Sequence, residues 1–134
     1  MITSFFCQPN GKGLHDITQL VASKVSNLDI QEGLATIYIR HTSASLVIQE
    51  NADPAVLRDL QVWIDRAAPE SSEYEHSAEG PDDMPAHIKG AITATHVSVP
   101  IKSGKLALGV WQGIFLWEHR LHPRRRELIL HVAD

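Results

Sequence analysis

Apolar positions along the chain change period several times, and each change marks an element. Residues 2–7 read as a short strand that ends at the turn Pro9-Asn10-Gly11. Ile17, Leu20, Val21, Val25 and Leu28 then recur at helical spacing, and Asp16 followed by Gln19 predicts a capping box at the helix start. Beyond Gly33 the period falls to two. Ala35, Ile37 and Ile39 share one face of a strand over Leu34–Arg40, and His41 is the next position on that face. A second strand is expected over Ala44–Glu50, with Glu50 on the face of Leu46 and Ile48. Asp53-Pro54 is a strong helix start, an N-cap followed by proline at the first helical position. Leu57, Leu60, Ile64 and Ala67 supply that helix's apolar stripe, and Pro69 closes it.

A polar loop over 70–82 separates this half from a third helix, expected from Asp83 to about Thr95 with Pro85 tolerated in its first turn. Strands are expected over His96–Ile101, Lys105–Val110, Gln112–Glu118 and Leu128–Val132, with Ser103-Gly104 as the hairpin turn between the first two. Six or seven strands, mostly joined by short turns, and three helices predict a single α+β domain over residues 1–134. Its sheet is expected to be largely antiparallel and sandwich-like, with the helices packed on it. No regular βαβ rhythm supports a doubly wound parallel fold.

Composition narrows the function classes. At 134 residues with 43% hydrophobic and 21% charged residues, the chain has enough apolar material for one ordinary core. A net charge of −4 argues against a nucleic-acid surface or attraction to an anionic membrane. No apolar run reaches membrane-spanning length. One cysteine, Cys7, excludes an internal disulfide and fits a reducing compartment, so a cytoplasmic location is the expectation.

Eight histidines shift attention to polar chemistry. His41 ends a strand, His76 follows Tyr74-Glu75 in the long loop, and Asp83 and His87 stand four residues apart on one helix face. If His41, His76 and His87 converge, three imidazoles with an open position suit a divalent metal, zinc or magnesium being the candidates. A lone histidine bonded to nearby backbone is the plainer alternative for each. Glu50 and Asp83 are candidates to manage a proton, with a solvated strand end as the alternative for Glu50. Asn51 and Gln112 are candidate substrate contacts. Gly109 and Gly113 flank Trp111-Gln112, and a tight bend with Trp111 in the core competes with a ligand-facing Gln112. Arg120, Arg124, Arg125 and Arg126 surround Pro123. A solvated loop explains them, but Arg126 could also bind phosphate.

Taken together, His41-Thr-Ser-Ala-Ser-Leu, Gln49-Glu-Asn-Ala-Asp-Pro, Tyr74-x-His76, Asp83-x-x-x-His87 and Leu108-Gly-Val-Trp-Gln-Gly-Ile resemble the YjbQ-like family, also called secondary thiamine-phosphate synthases. The resemblance runs from about Asp16 to Val132. It implies a compact α+β fold, a homotrimer, and a site near the subunit boundary where His41, His76 and His87 gather around a metal or anion. It also implies a weak thiamine-phosphate-forming activity, which joins a pyrimidine diphosphate to a thiazole phosphate and releases pyrophosphate. Val110 stands where the family often has threonine. His96 and His119 are not family signatures and are left out of the expected site. A metal-dependent enzyme acting on phosphorylated small molecules is the leading expectation. A non-catalytic trimeric module that binds a metal or anion is the alternative, and a trimer whose histidines only satisfy hydrogen bonds is the third.

Overall fold

The computed structural model describes residues 1–134. In chain order the elements are β1 (Ile2–Cys7), β2 (Gly13–Asp16), α1 (Thr18–Ser26), β3 (Glu32–Ile39), β4 (Ala44–Glu50), α2 (Pro54–Ala67), α3 (Asp83–Ile92), β5 (His96–Lys102), β6 (Lys105–Leu106), β7 (Gln112–Glu118) and β8 (Arg126–Ala133). Two antiparallel sheets result, one of order β1-β8-β3-β5-β6 and one of order β2-β7-β4.

The alternating strands face each other across one core. Ala35, Ile37 and Ile39 of β3 and Leu128, Leu130 and Val132 of β8 meet Leu46 of β4 and Ile114 and Leu116 of β7, while Val21 and Val25 seat α1 in the same cluster. Phe115 and Trp117 lie on the opposite face of β7 and are also buried. Their cover comes from within the chain, since the Trp117 indole N–H donates to Gln61 of α2 at 2.8 Å. A strand apolar on both faces therefore needs no second subunit to explain it.

Several boundaries differ from expectation, each for a local reason. The residues before α1 pair with β7 as a short strand, so α1 begins at Thr18 and ends before Leu28. No capping box forms. Asp16 instead accepts from the backbone N–H and hydroxyl of Thr18. In α2, Asp53 caps as expected by accepting from Ala55 N–H at 2.9 Å, but Ala68 rather than Ala67 turns inward. Helix α3 stops at Ile92, because Thr93 is extended and Ala94 bridges to Leu46 of β4. Strand β6 keeps only two residues. The chain after it turns at Gly109–Gln112 and leaves Trp111 63% exposed rather than in the core. Ser103 and Gly104 both take positive φ, 53° and 79°, the primed hairpin turn that their sequence predicts.

One close approach positions the site. A Cβ on Gly90 would lie 2.7 Å from the carbonyl oxygen of Thr42, so only glycine lets α3 pack against the turn that follows His41.

Candidate functional site

Glu118 ends β7 in full burial and organises what surrounds it. Its two oxygens accept from Arg126 Nε at 2.7 Å and Nη2 at 2.5 Å, and Oε2 also accepts the backbone N–H groups of His119 and Arg120. Arg126 Nη2 donates further to the Ser43 hydroxyl at 3.0 Å. Arg126, 6% exposed, is thus an anchored ion pair, with only Nη1 left uncommitted to it. The sequence expectation of a freely phosphate-binding Arg126 narrows to that one nitrogen.

Arg126 Nη1 faces His41 Nδ1 at 3.5 Å. His41 Nε2 accepts the backbone N–H of Glu127 at 2.8 Å, which places the proton of a neutral ring on Nδ1. Burial, and then the charge of Arg126, push the His41 pKa below the usual histidine value, in keeping with that neutral form. Two donors therefore confront each other with no acceptor between them. They line a cleft of about 580 Å³ together with Ser43, Glu79, Arg120, His122 and the arginines 124 and 125. Arg126 is paired with Glu118 and Arg120 with Asp82 and Asp83, so Arg124 and Arg125, which no carboxylate pairs, make this an anion-attracting wall.

Beside the cleft, the first turn of α3 builds a second feature. Asp83 and His87 share a helix face, and the long loop brings His76 to them. Asp83 Oδ2 lies 2.5 Å from His76 Nε2 and 3.1 Å from His87 Nε2. The two rings meet edge to face with centroids 5.2 Å apart, and the three ligand atoms all fall within 4.8 Å of one another. Asp83 is 3% exposed. Burial alone would raise its pKa, but the hydrogen bond to His76 and the charge of Arg120 outweigh it and hold the carboxyl below its ordinary value. Two imidazoles and a carboxylate in this arrangement are a donor set that fits zinc or a similar divalent metal better than magnesium, which prefers oxygen.

His41 is not part of that cluster; its Nε2 is taken by the Glu127 N–H and its Nδ1 faces Arg126. The expected three-histidine set is therefore replaced, within one chain, by His76, Asp83 and His87.

Cleft and cluster share two residues. Arg120 lines the cleft while its Nη1 bonds Asp83 Oδ1 at 2.5 Å, its Nε bonds Asp82 at 3.0 Å and its Nη2 bonds the Glu79 carbonyl at 2.9 Å. Glu79 lines the cleft with its carboxylate 3.4 Å from His76 Nε2. In sequence Arg120 belongs only to a basic loop, and Glu79 gives no signal at all. An acid three residues after a histidine in a loop carries no helical register to expose it.

The remaining expected site residues lie elsewhere. Register pairs Ala44 with Glu118 at one end of β4 and β7, and Glu50 with Gln112 at the other. Six residues at about 3.4 Å each put Glu50 about 20 Å from the cleft. There Asn51 donates to the carbonyls of Val110 and Gln112, and Gln112 accepts from Gly109 N–H, so both amides brace the turn rather than reach outward. Glu50 Oε2 is buried with no partner. Catalytic and substrate-binding candidates thus form two groups in this chain, and Glu50, Asn51 and Gln112 do not join His87 and Asp83.

Fold and site together define a class: a β-sandwich with a helical layer, carrying a histidine–carboxylate cluster beside a cationic cleft. The model of the family described as UPF0047 protein YjbQ-like matches residues 3–134, and the chain belongs to that family. It is 52% identical over 124 residues to a UPF0047 protein of Synechocystis, covering 92% of this chain and 84% of the relative. It is 42% identical to the YjbQ protein of Salmonella typhimurium, covering 88% and 86%. Among solved structures, an uncharacterised YjbQ/UPF0047 protein from Clostridium acetobutylicum superposes with a TM-score of 0.84 at 34% identity, over 99% of both chains. A conserved hypothetical protein from Thermus thermophilus gives 0.85 at 30%, covering 98% of this chain and 99% of that one.

Proposed function

We propose that this chain binds a phosphorylated small molecule in the arginine-lined cleft and acts on it with a divalent metal held by His76, Asp83 and His87. The observation that carries the reading is the pair of donors, His41 Nδ1–H and Arg126 Nη1–H, that face each other across 3.5 Å with no acceptor. A phosphoryl oxygen accepts from both and resolves the conflict. Arg124 and Arg125 supply the surrounding positive charge. Buried Asp83 fixes the two rings. A metal at this cluster would neutralise charge developing on a departing phosphate oxygen.

Thiamine-phosphate formation is one reaction of this class. The carbon–oxygen bond between the pyrimidine's methylene and its diphosphate breaks, the diphosphate leaves with the electron pair, and the thiazole nitrogen bonds the carbon. In support, the cleft's lining is wholly polar or prolyl and suits phosphate. No hydrophobic residue lines it to read a pyrimidine. We therefore expect any such turnover to be slow and unselective. The chain is further proposed to assemble as a homotrimer.

The test is turnover by untagged protein with and without chelator. Metal removal and His87→Ala should each lower activity at least about tenfold while leaving the fold intact. Arg126 is a poor probe, because removing it strands Glu118 and costs about 3–5 kcal/mol of stability. Arg124→Gln should instead raise KM more than it lowers kcat. Turnover that survives both chelation and His87→Ala makes the cluster non-catalytic and favours the binding module.

A further inference from the structure

We propose that Arg120 makes the two ions of this site depend on each other, so that its ligand is a divalent cation already chelated by a phosphoryl group, not either ion alone. The inference rests on the functional reading above and deepens it. Asp83 links the two halves of the site. Its Oδ2 meets His76 and His87, and its Oδ1 meets the Arg120 guanidinium at 2.5 Å. A dication held at Oδ2 would therefore stand one carboxylate away from a fixed positive charge, which opposes it. The same guanidinium lines the cleft, where an oxyanion would attract it. Glu79 adds to the effect, with its carboxylate near His76 and its carbonyl on Arg120.

Arg120 thus has two occupations. Without ligands it is spent on Asp82, Asp83 and Glu79. An anion in the cleft draws its charge away from Asp83 and frees that carboxylate for a cation. A cation weakens the Arg120–Asp83 bond and releases the guanidinium for the anion. By linkage the two effects are equal in size.

The experiment titrates full-length, untagged protein with Co²⁺, followed by its visible absorption, in the absence and presence of methyl phosphate. Methyl phosphate binding is then measured with and without Co²⁺. Each ion should tighten the other by the same factor, about tenfold or more. Arg120→Gln should bind Co²⁺ alone more tightly than wild type, and the mutual factor should fall to near one. Arg124→Gln should weaken methyl phosphate while leaving the affinity for Co²⁺ alone unchanged. Should Arg120→Gln fail to fold, the reciprocity in wild type decides. A mutual factor of one with both ions bound overturns the coupling and spares the functional reading. Loss of Co²⁺ binding in a folded Arg120→Gln makes Arg120 a simple brace and also overturns the coupling. Failure of wild type to bind either ion overturns both.

Discussion

His119 is 1% exposed, and its neighbours dictate its protonation. The Thr93 hydroxyl donates to the Lys89 carbonyl at 2.6 Å, so it must accept from Ser45, which leaves Ser45 to accept from His119 Nε2 at 2.8 Å. Ser45 is therefore no activated nucleophile, although serine and histidine stand at hydrogen-bond distance. His119 Nδ1 keeps a lone pair with no partner. Burial, then the charges of Lys89 and Arg126, push its pKa down to about 3 from 6.5. The unfolded chain takes up a proton near pH 6.5 and the folded chain does not, so acidification favours unfolding. Each pH unit between about 6.5 and about 3 should cost about 1.4 kcal/mol from this ring. His41 acts in the same direction, and the depressed Asp83 adds a loss at lower pH as its folded-state carboxyl protonates. Denaturant midpoints measured against pH should fall accordingly, and His119→Gln should remove one proton's worth of the slope. Stability that stayed flat from pH 6.5 to 4 would refute this protonation scheme.

Elements with their own local signals are legible in the sequence. The Asp53-Pro54 cap, the alternation of β3 and β8 and the Ser103-Gly104 turn are all decided by neighbours along the chain. Strand β2 is not legible, because Gly13–Asp16 carries no alternation and becomes a strand only by pairing with β7. For the same reason helical spacing alone starts α1 too early and makes Asp16 resemble part of a capping box. The candidate site follows this division. Asp83 and His87 are legible because helical spacing alone places them together. The Glu118–Arg126 pair is hidden, since their contact needs the loop between β7 and β8 to fold back. His41 is legible as a strand end. Its bond to Glu127 depends on the pairing of β3 with β8, which no local pattern announces.

At the scale of the whole molecule, no helix is long and apolar enough to cross a membrane. The outer face of the five-stranded sheet exposes Ile2, Phe6, Leu34 and Tyr38, and the turn before β7 exposes Val110 and Trp111. These apolar surfaces, rather than Phe115 and Trp117, are what a homotrimer would cover. Light scattering across dilution should return three times the chain mass, and a constant monomer mass would end the proposal. Everything proposed for the site depends on one end of this fold holding a metal beside a phosphate. Crystals grown with Zn²⁺ and methyl phosphate read both ions, the zinc in an anomalous difference map and the phosphate in an ordinary one. A zinc peak should stand about 2.0–2.1 Å from the ring nitrogens of His76 and His87, with phosphate density between His41 and Arg126. Zinc found only at scattered surface residues, with the cleft holding water alone, would refute the proposed site.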